Sequence, residues 1–220
     1  MAYFLALDCS LPSAEVSLLS KSKNSFKVLE KSNWIHKAFK STHSDKLAQE
    51  IDRLFKKTKL SLRQLNGIAV GIGPGRFTGI RTAITTAKAL SFSLKIPIYP
   101  VNTLKTLAEE FYEKKETVFV SLQGFKNQIF FGSFFSSKKE EILLLDFEKW
   151  KKRIKSLKQE KLICISDLEK FYPLDSELKN KVLFKEPKIS SANLFKIVLR
   201  EKPSAQTWFN LKACYLRSDF

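Results

Sequence analysis

Gly71-Ile72-Gly73-Pro74-Gly75-Arg76-Phe77-Thr78-Gly79-Ile80-Arg81 contains four of the chain's seven glycines. Just before it, Gly67-Ile68-Ala69-Val70 is short, small and apolar, the pattern of a strand buried on both faces. Just after it, Ile80, Ala83, Ile84, Ala87, Leu90 and Leu94 recur at helical steps, so a helix is expected over Thr78–Leu94. Thr78 is the expected N-cap. Gly79, Ala83 and Ala87 form a row of small residues that would let another backbone approach closely. The unit is strand, glycine turn, helix.

Such a turn has two uses. Glycines let a ligand reach the main chain, and a helix start offers free N–H groups with a partial positive charge. A phosphate would suit that place, and Arg76 and Arg81 would strengthen the field. Equally, the glycines can simply make a tight connection. A phosphate-binding P-loop needs Gly-Lys-Ser/Thr at its end, and this loop has none. A dinucleotide fingerprint starting at Gly71 would need Gly or Ala where Arg76 stands. A hydrolase nucleophile elbow would need Ser where Phe77 stands.

Gly73-Pro74-Gly75-x-Phe77-Thr78-Gly79-x-Arg81 resembles the signature of the TsaB (YeaZ) family. That family is a subunit of the bacterial machinery that makes threonylcarbamoyladenosine beside the tRNA anticodon. The resemblance implies an α/β, actin-like ATPase (ASKHA, RNase H-like) fold. It would consist of two small α/β subdomains, each a mixed sheet flanked by helices. In that superfamily an early Asp at a strand end lies near nucleotide phosphates and metal. Leu7-Asp8-Cys9-Ser10 is similar to the family's opening, with Cys in place of Thr. The resemblance makes Asp8, Gly73, Gly75, Arg76, Thr78 and Gly79 candidates for a phosphate loop.

The chain's 220 residues suffice for one sizeable domain or two small ones, and 44% apolar content predicts a folded core. Lys plus Arg number 39 against 22 Asp plus Glu, a net charge of +17. This fits either an anionic partner such as nucleic acid or a lysine-rich background, since most of the cations are lysine. Cys9, Cys164 and Cys214 are odd in number and scattered, which fits reduced thiols in a cytoplasmic protein. No signal peptide or membrane-length apolar run is visible.

Tyr3–Leu7, Val16–Leu19 and Phe26–Leu29 read as a three-strand meander. A helix is expected over Ser44–Lys57, with Leu47, Ile51, Leu54 and Phe55 as its stripe. His43-Ser44 before it matches the family; His43 would cap or pack there, or contact a partner. His36 and His43 have no acidic companion at ligand spacing, so no metal site is assigned. Ile96–Val101 is a strand bracketed by prolines, which makes it short or places it at an edge. A helix starts at Asn102-Thr103-Leu104. A subdomain boundary is placed near 101, giving 1–101 with the glycine loop and a more diverged 102–220.

In the second half, Thr117–Leu122 and Gln128–Phe135 read as a hairpin, followed by strand Glu141–Leu145 and helix Asp146–Leu157. Leu162–Ile165 and Lys181–Phe184 are further strands, and Ser190-Ser191 caps a last helix. Lys138-Lys139 and Lys149-Lys151-Lys152-Arg153 are the densest basic clusters, and such clusters are usually solvated faces. Tyr215-Leu216-Arg217 is similar to the family's ending. The family's hairpin carries Asp, Arg and Glu where this chain has Gln123, Phe125 and Gln128. No internal repeat stands out.

The resemblance implies a non-catalytic subunit that pairs with a TsaD-like threonylcarbamoyltransferase, with a TsaE-like ATPase joining and tRNA reached through the complex. ATP or ADP and a divalent metal would belong to the assembled complex, and no cofactor or membrane contact is assigned to this chain. Its pairing surface would be helical, with His43, Leu47, Ile51, Arg81, Ala83 and Ala87 as candidates. The small row can equally face the chain's own sheet, and the same surface can serve a homodimer. Two other readings stand beside it: an actin-like phosphotransferase using Asp8 and the glycine loop, and a basic tRNA-binding module. A peptidase finds no Ser/His or Cys/His arrangement to support it.

Overall fold

The computed structural model describes residues 1–23, 25–35, 43–112, 117–134, 140–158 and 162–216, with residues 43–45 described by backbone alone. The side chain of His43 therefore lies outside the described residues, as do His36, Phe135, Lys138-Lys139 and Arg217. The chain divides into two compact units. The first joins Met1–Thr106 to Ile189–Cys214, and the second is Leu107–Lys188 with the described tail from Tyr215. The 1–101 and 102–220 ranges differ from this because the last helix returns to the first unit.

The first unit opens with β1 (Ala2–Asp8), β2 (Ser13–Lys21) and β3 (Phe26–Ile35). Then come α1 (His43–Thr58), β4 (Leu65–Gly71), α2 (Phe77–Leu94) and β5 (Ile98–Val101), and α3 (Thr103–Tyr112) begins in this unit and continues into the second. The sheet order is β3-β2-β1-β4-β5. The β1–β2 and β2–β3 pairs are antiparallel, while β1–β4 and β4–β5 are parallel. Antiparallel pairing carries β2 and β3 well past their apolar cores. The proline-bearing β5 lies at the edge, where a missing N–H costs nothing to the ladder.

Side chains alternate across β1. Leu5 and Leu7 join the core under α1 and α2, with Leu47, Ile51, Val70, Ala83 and Ala87. Phe4 and Ala6 point the other way, to Leu194, Phe195, Ile197 and Val198. These four come from α6 (Ser191–Glu201), so this sheet is covered by helices on both faces. Burial on both faces explains the unbroken apolar runs of β1 and β4.

The second unit contains β6 (Val118–Gln123), β7 (Gln128–Phe134), β8 (Glu141–Asp146), α4 (Phe147–Ser156), β9 (Leu162–Ser166), α5 (Ser176–Lys181) and β10 (Val182–Lys185). Its order is β10-β9-β6-β7-β8. Again the first three strands pair antiparallel, and the later two add in parallel. Strand for strand, this repeats the topology of the first sheet. Asp146 caps α4, its Oδ1 accepting from Lys149 N at 2.7 Å. Trp150 is fully buried and donates to Ser121 Oγ at 2.8 Å, and the Cys164 thiol donates to the same oxygen at 3.4 Å. No helix among the described residues is long and apolar enough to cross a membrane.

Candidate functional site

The glycine loop sits at the C-terminal ends of β1 and β4. Ala6 and Asp8 share a face of β1, as Ala69 and Gly71 do of β4, and Leu7 registers with Val70. Asp8 and Gly71 are therefore neighbours on one face. With no side chain on Gly71, the Asp8 carboxylate lies directly over the neighbouring strand. A Cβ at Gly71 would fall 2.0 Å from Asp8 Oδ2.

Asp8 is fully buried and both its oxygens are engaged. Ser10 N donates to Oδ1 at 2.7 Å, and Thr103 Oγ1 donates to Oδ2 at 3.0 Å. Thr103 Oγ1 also lies 2.9 Å from Ser10 Oγ and accepts from Gly73 N at 3.2 Å. Thr103 N donates back to Gly73 O at 2.8 Å. Burial raises the Asp8 carboxyl above its ordinary range, against the lowering effect of the Ser10 and Thr103 hydrogen bonds. Burial, with the charge of Asp8 beside it, also raises the Cys9 thiol.

The rest of the loop is held the same way. Arg76 N donates to Ser10 O at 2.7 Å. A Cβ on Gly75 would lie 2.3 Å from that same Ser10 oxygen, so only glycine fits there. Gly73 has φ +94°, a conformation that glycine adopts readily. Because Arg76 is held extended by Ser10, α2 starts at Phe77 with Arg76 as its N-cap residue, and no side chain caps it. Thr78 is therefore not the cap. It lies in the first turn, and its carbonyl accepts from Thr82 Oγ1 at 2.9 Å.

Two main-chain donors of the loop, Gly73 N and Arg76 N, and the carboxylate of Asp8 are thus committed to this chain. Arg76, Phe77 and Thr78 are exposed, whereas Gly79 is buried. Arg81 lies over the Phe77 ring, 5.1 Å from its centroid. The Gly73 and Arg76 amides are therefore already engaged within the chain and not free for a phosphate. Among the described residues no three His, Cys, Asp or Glu side chains gather as a metal site.

Opposite Asp8 across the β1–β2 pair stands Glu15, also buried. Its Oε1 accepts from Ser191 N at 2.9 Å and from Ser191 Oγ at 2.6 Å. The two carboxylates divide the work. Asp8 ties down the glycine loop and the start of α3; Glu15 ties down the start of α6. No spacing rule points to the Glu15–Ser191 pair, because its members are far apart in the sequence.

The helical pairing candidates separate. Leu47, Ile51, Ala83 and Ala87 belong to the unit's own core and are at most 6% exposed. Their apolar spacing serves the sheet beneath them, and the row Gly79, Ala83, Ala87 faces inward. Arg81 is exposed, and it continues outward along α2 with Thr85 and Ala89.

A family model described as TsaD, tRNA N6-adenosine threonylcarbamoyltransferase, matches residues 36–195. The chain is 31% identical over 196 residues to the tRNA threonylcarbamoyladenosine biosynthesis protein TsaB of Buchnera aphidicola subsp. Schizaphis graminum, covering 84% of this chain and 89% of that protein. It is 29% identical to the Haemophilus influenzae protein of the same name, over 58% of this chain and 52% of that one. A crystal structure from Pseudomonas aeruginosa, described as an uncharacterized protein with similarity to peptidase YeaZ, superposes with a TM-score of 0.76 at 20% identity. It covers 99% of this chain and 100% of that one. Two mixed sheets of matching topology with flanking helices, and an acid at the end of the first strand, define an actin-like α/β protein. Within that class the chain belongs to the TsaB family.

Proposed function

We propose that this chain is the non-catalytic subunit in the formation of threonylcarbamoyladenosine on tRNA, pairing with a TsaD-like transferase and holding it in its active shape. The carrying observation is the closed Asp8 site. The acid that actin-like proteins aim at phosphate and metal is here fully buried and bound to Ser10 and Thr103. The fold is retained while its reactive pocket is filled by the chain itself, which favours a role through surfaces.

The pairing surface we infer is the outward side of α2, beside α1, which it contacts. Phe77, Thr78, Arg81, Thr85 and Ala89 are exposed there. Thr78, Thr85 and Ala89 are small, so a partner helix can approach closely, and Arg81 stacked on Phe77 supplies a preorganised cation. A TsaE-like ATPase and tRNA join through the assembled complex.

The test is co-expression with the TsaD-like protein of the same genome, followed by size-exclusion chromatography. A stoichiometric peak, with transfer activity that needs both chains, is expected, and Arg81→Glu should weaken the pair. Separate elution under all salt and nucleotide conditions would refute the pairing. Calorimetry on the isolated chain tests the closed site: magnesium-dependent ATP binding would contradict it.

A further inference from the structure

Three large aromatic side chains meet at the surface of the first unit. Phe92, on the last turn of α2, is 51% exposed; Trp208 is 41% exposed and Phe209 76%. Phe92 and Trp208 pack edge-to-face with centroids 5.1 Å apart, and Trp208 meets Phe209 in the same way at 5.8 Å. Lys95 follows the helix in a left-handed conformation, φ +57°, which carries its ammonium to 4.4 Å from the Phe92 ring centroid. The two backbone segments meeting here are tied together by the paired hydrogen bonds between Ile98 and Gln206, so the cluster is built on a fixed frame.

Aromatics so exposed leave apolar surface in water at a cost that monomeric proteins usually avoid. The chemistry around them indicates what covers them. From Arg53 through Ala108 the sequence has ten basic residues and no acidic one; Arg53, Lys56, Lys57 and Lys105 are paired with Glu50, Asp52, Glu30 and Glu201 outside that span, and Lys95 is the cation set on the cluster itself. Lys88 stands one helical turn before Phe92, on the same side of α2. Lys202 and Lys212 flank the Trp208 segment, and no Asp or Glu occurs between them. A purely hydrophobic protein partner has no need of an ammonium set over an exposed ring. A base, with a π-face above a phosphate chain, needs both the rings and the cations.

We propose that Phe92, Trp208 and Phe209, with Lys95, form a stacking platform for unpaired bases of a single-stranded nucleic acid. The exposed ring of Phe209 takes a base by stacking, with Trp208 as the second surface. Lys95 and its basic neighbours hold the adjoining phosphates. Recognition of this kind is indifferent to sequence, because every base presents a π-face. The platform is independent of pairing with a transferase, so the two readings stand or fall separately.

The experiment titrates the full-length chain alone with short oligoadenylate and oligouridylate RNA at graded salt, following tryptophan emission and fluorescence anisotropy. Of the three tryptophans, Trp150 is fully buried and Trp34 is half-buried in β3, so the quench is assigned to Trp208 by its loss in Trp208→Phe. Binding should quench the emission. Phe209→Ala should weaken it by about tenfold, and Lys95→Ala should lower the salt slope by about one. Trp208→Phe should keep the affinity and lose the quench. Phe209 is exposed enough that its removal leaves the fold intact, which an unchanged melting temperature will verify. Unchanged affinity in Phe209→Ala and Trp208→Ala would overturn the platform, since binding would then rest on lysines alone. Absence of binding would overturn it too. So would a Phe209→Ala variant that loses self-association or co-elution with the TsaD-like protein while its RNA affinity is unaltered.

Discussion

Asp8 and Gly71 occupy the same space on adjacent parallel strands: the carboxylate of one fills the position that a side chain on the other would take, 2.0 Å from Oδ2. This steric relationship is what closes the site. It sets the carboxylate within reach of Ser10 and Thr103, and through Thr103 the acid reaches the Gly73 amide. One buried carboxyl group thus gathers the ends of β1 and β4, the glycine loop and the first residue of α3.

Gly71→Ala should therefore destabilise the chain by about 3 kcal/mol, the upper range for inserting a methyl group into a packed interior. The cost belongs to the pair. In an Asp8→Ala background the same change should cost clearly less, with a coupling of about 1–3 kcal/mol. Urea denaturation of the four chains measures it. Additive effects would show that Asp8 is not what Gly71 accommodates.

Burial raises the Asp8 carboxyl above its ordinary range, and this fixes the sign of a pH effect. Between the ordinary value of about 4 and the raised folded value, the folded chain holds a proton that the unfolded chain has released. The contribution from this group is fully present below the unfolded value and is lost as pH rises through the folded one. Asp8→Asn cannot titrate, so its stability relative to the native chain should climb as pH rises through that window. Glu15 is the facing acid across the strand pair, with Lys31 Nζ 3.9 Å from its Oε2, and both remain in the variant. Parallel pH profiles for the two chains would remove Asp8 as the cause.

Local features of this fold were open to sequence reading, and long-range ones were not. The glycine loop and the α2 stripe follow from spacing within short windows, and the prolines of β5 narrow it to a short or an edge strand, of which the sheet order settles the edge. The inward direction of Ala83 and Ala87 does not, because a small-residue row looks the same whether it meets a sheet or a partner helix. Thr78 carries a good capping side chain, but Ser10 sets where the helix starts by holding Arg76 extended. The two mixed sheets are implied by the family resemblance alone, since pairing order can repeat without residues repeating. The return of α6 to the first sheet depends on Glu15 and Ser191, which no local pattern connects.

In the second unit, Ser121 Oγ accepts from two buried donors, Trp150 Nε1 and the Cys164 thiol. Burial pushes that thiol up to about 12, so it remains a donor at neutral pH. Ser121→Ala should cost about 1–3 kcal/mol, mainly from the orphaned indole N–H. Trp150 emission should also shift as the ring loses its polar partner. A melting temperature equal to that of the native chain would show that the indole finds another acceptor.

The Glu15–Ser191 contact yields the sharpest local prediction. A buried carboxylate accepts both the backbone and the side-chain hydrogen of the first residue of α6. It lies at the positive end of the helix dipole, where a negative charge is favourable. Glu15→Gln keeps an acceptor but loses the charge, and should cost up to about 2 kcal/mol. Glu15→Ala leaves the Ser191 donors buried and unpaired, and should cost about 1–3 kcal/mol. Because α6 covers one face of the first sheet through Leu194, Phe195, Ile197 and Val198, the loss should be felt there first. Amide hydrogen exchange should accelerate in Ser191–Glu201 before it does in β6 or β9, which belong to the other unit. Uniform acceleration across both units would mean that α6 has no independent opening, and that Glu15 stabilises the chain only as a whole.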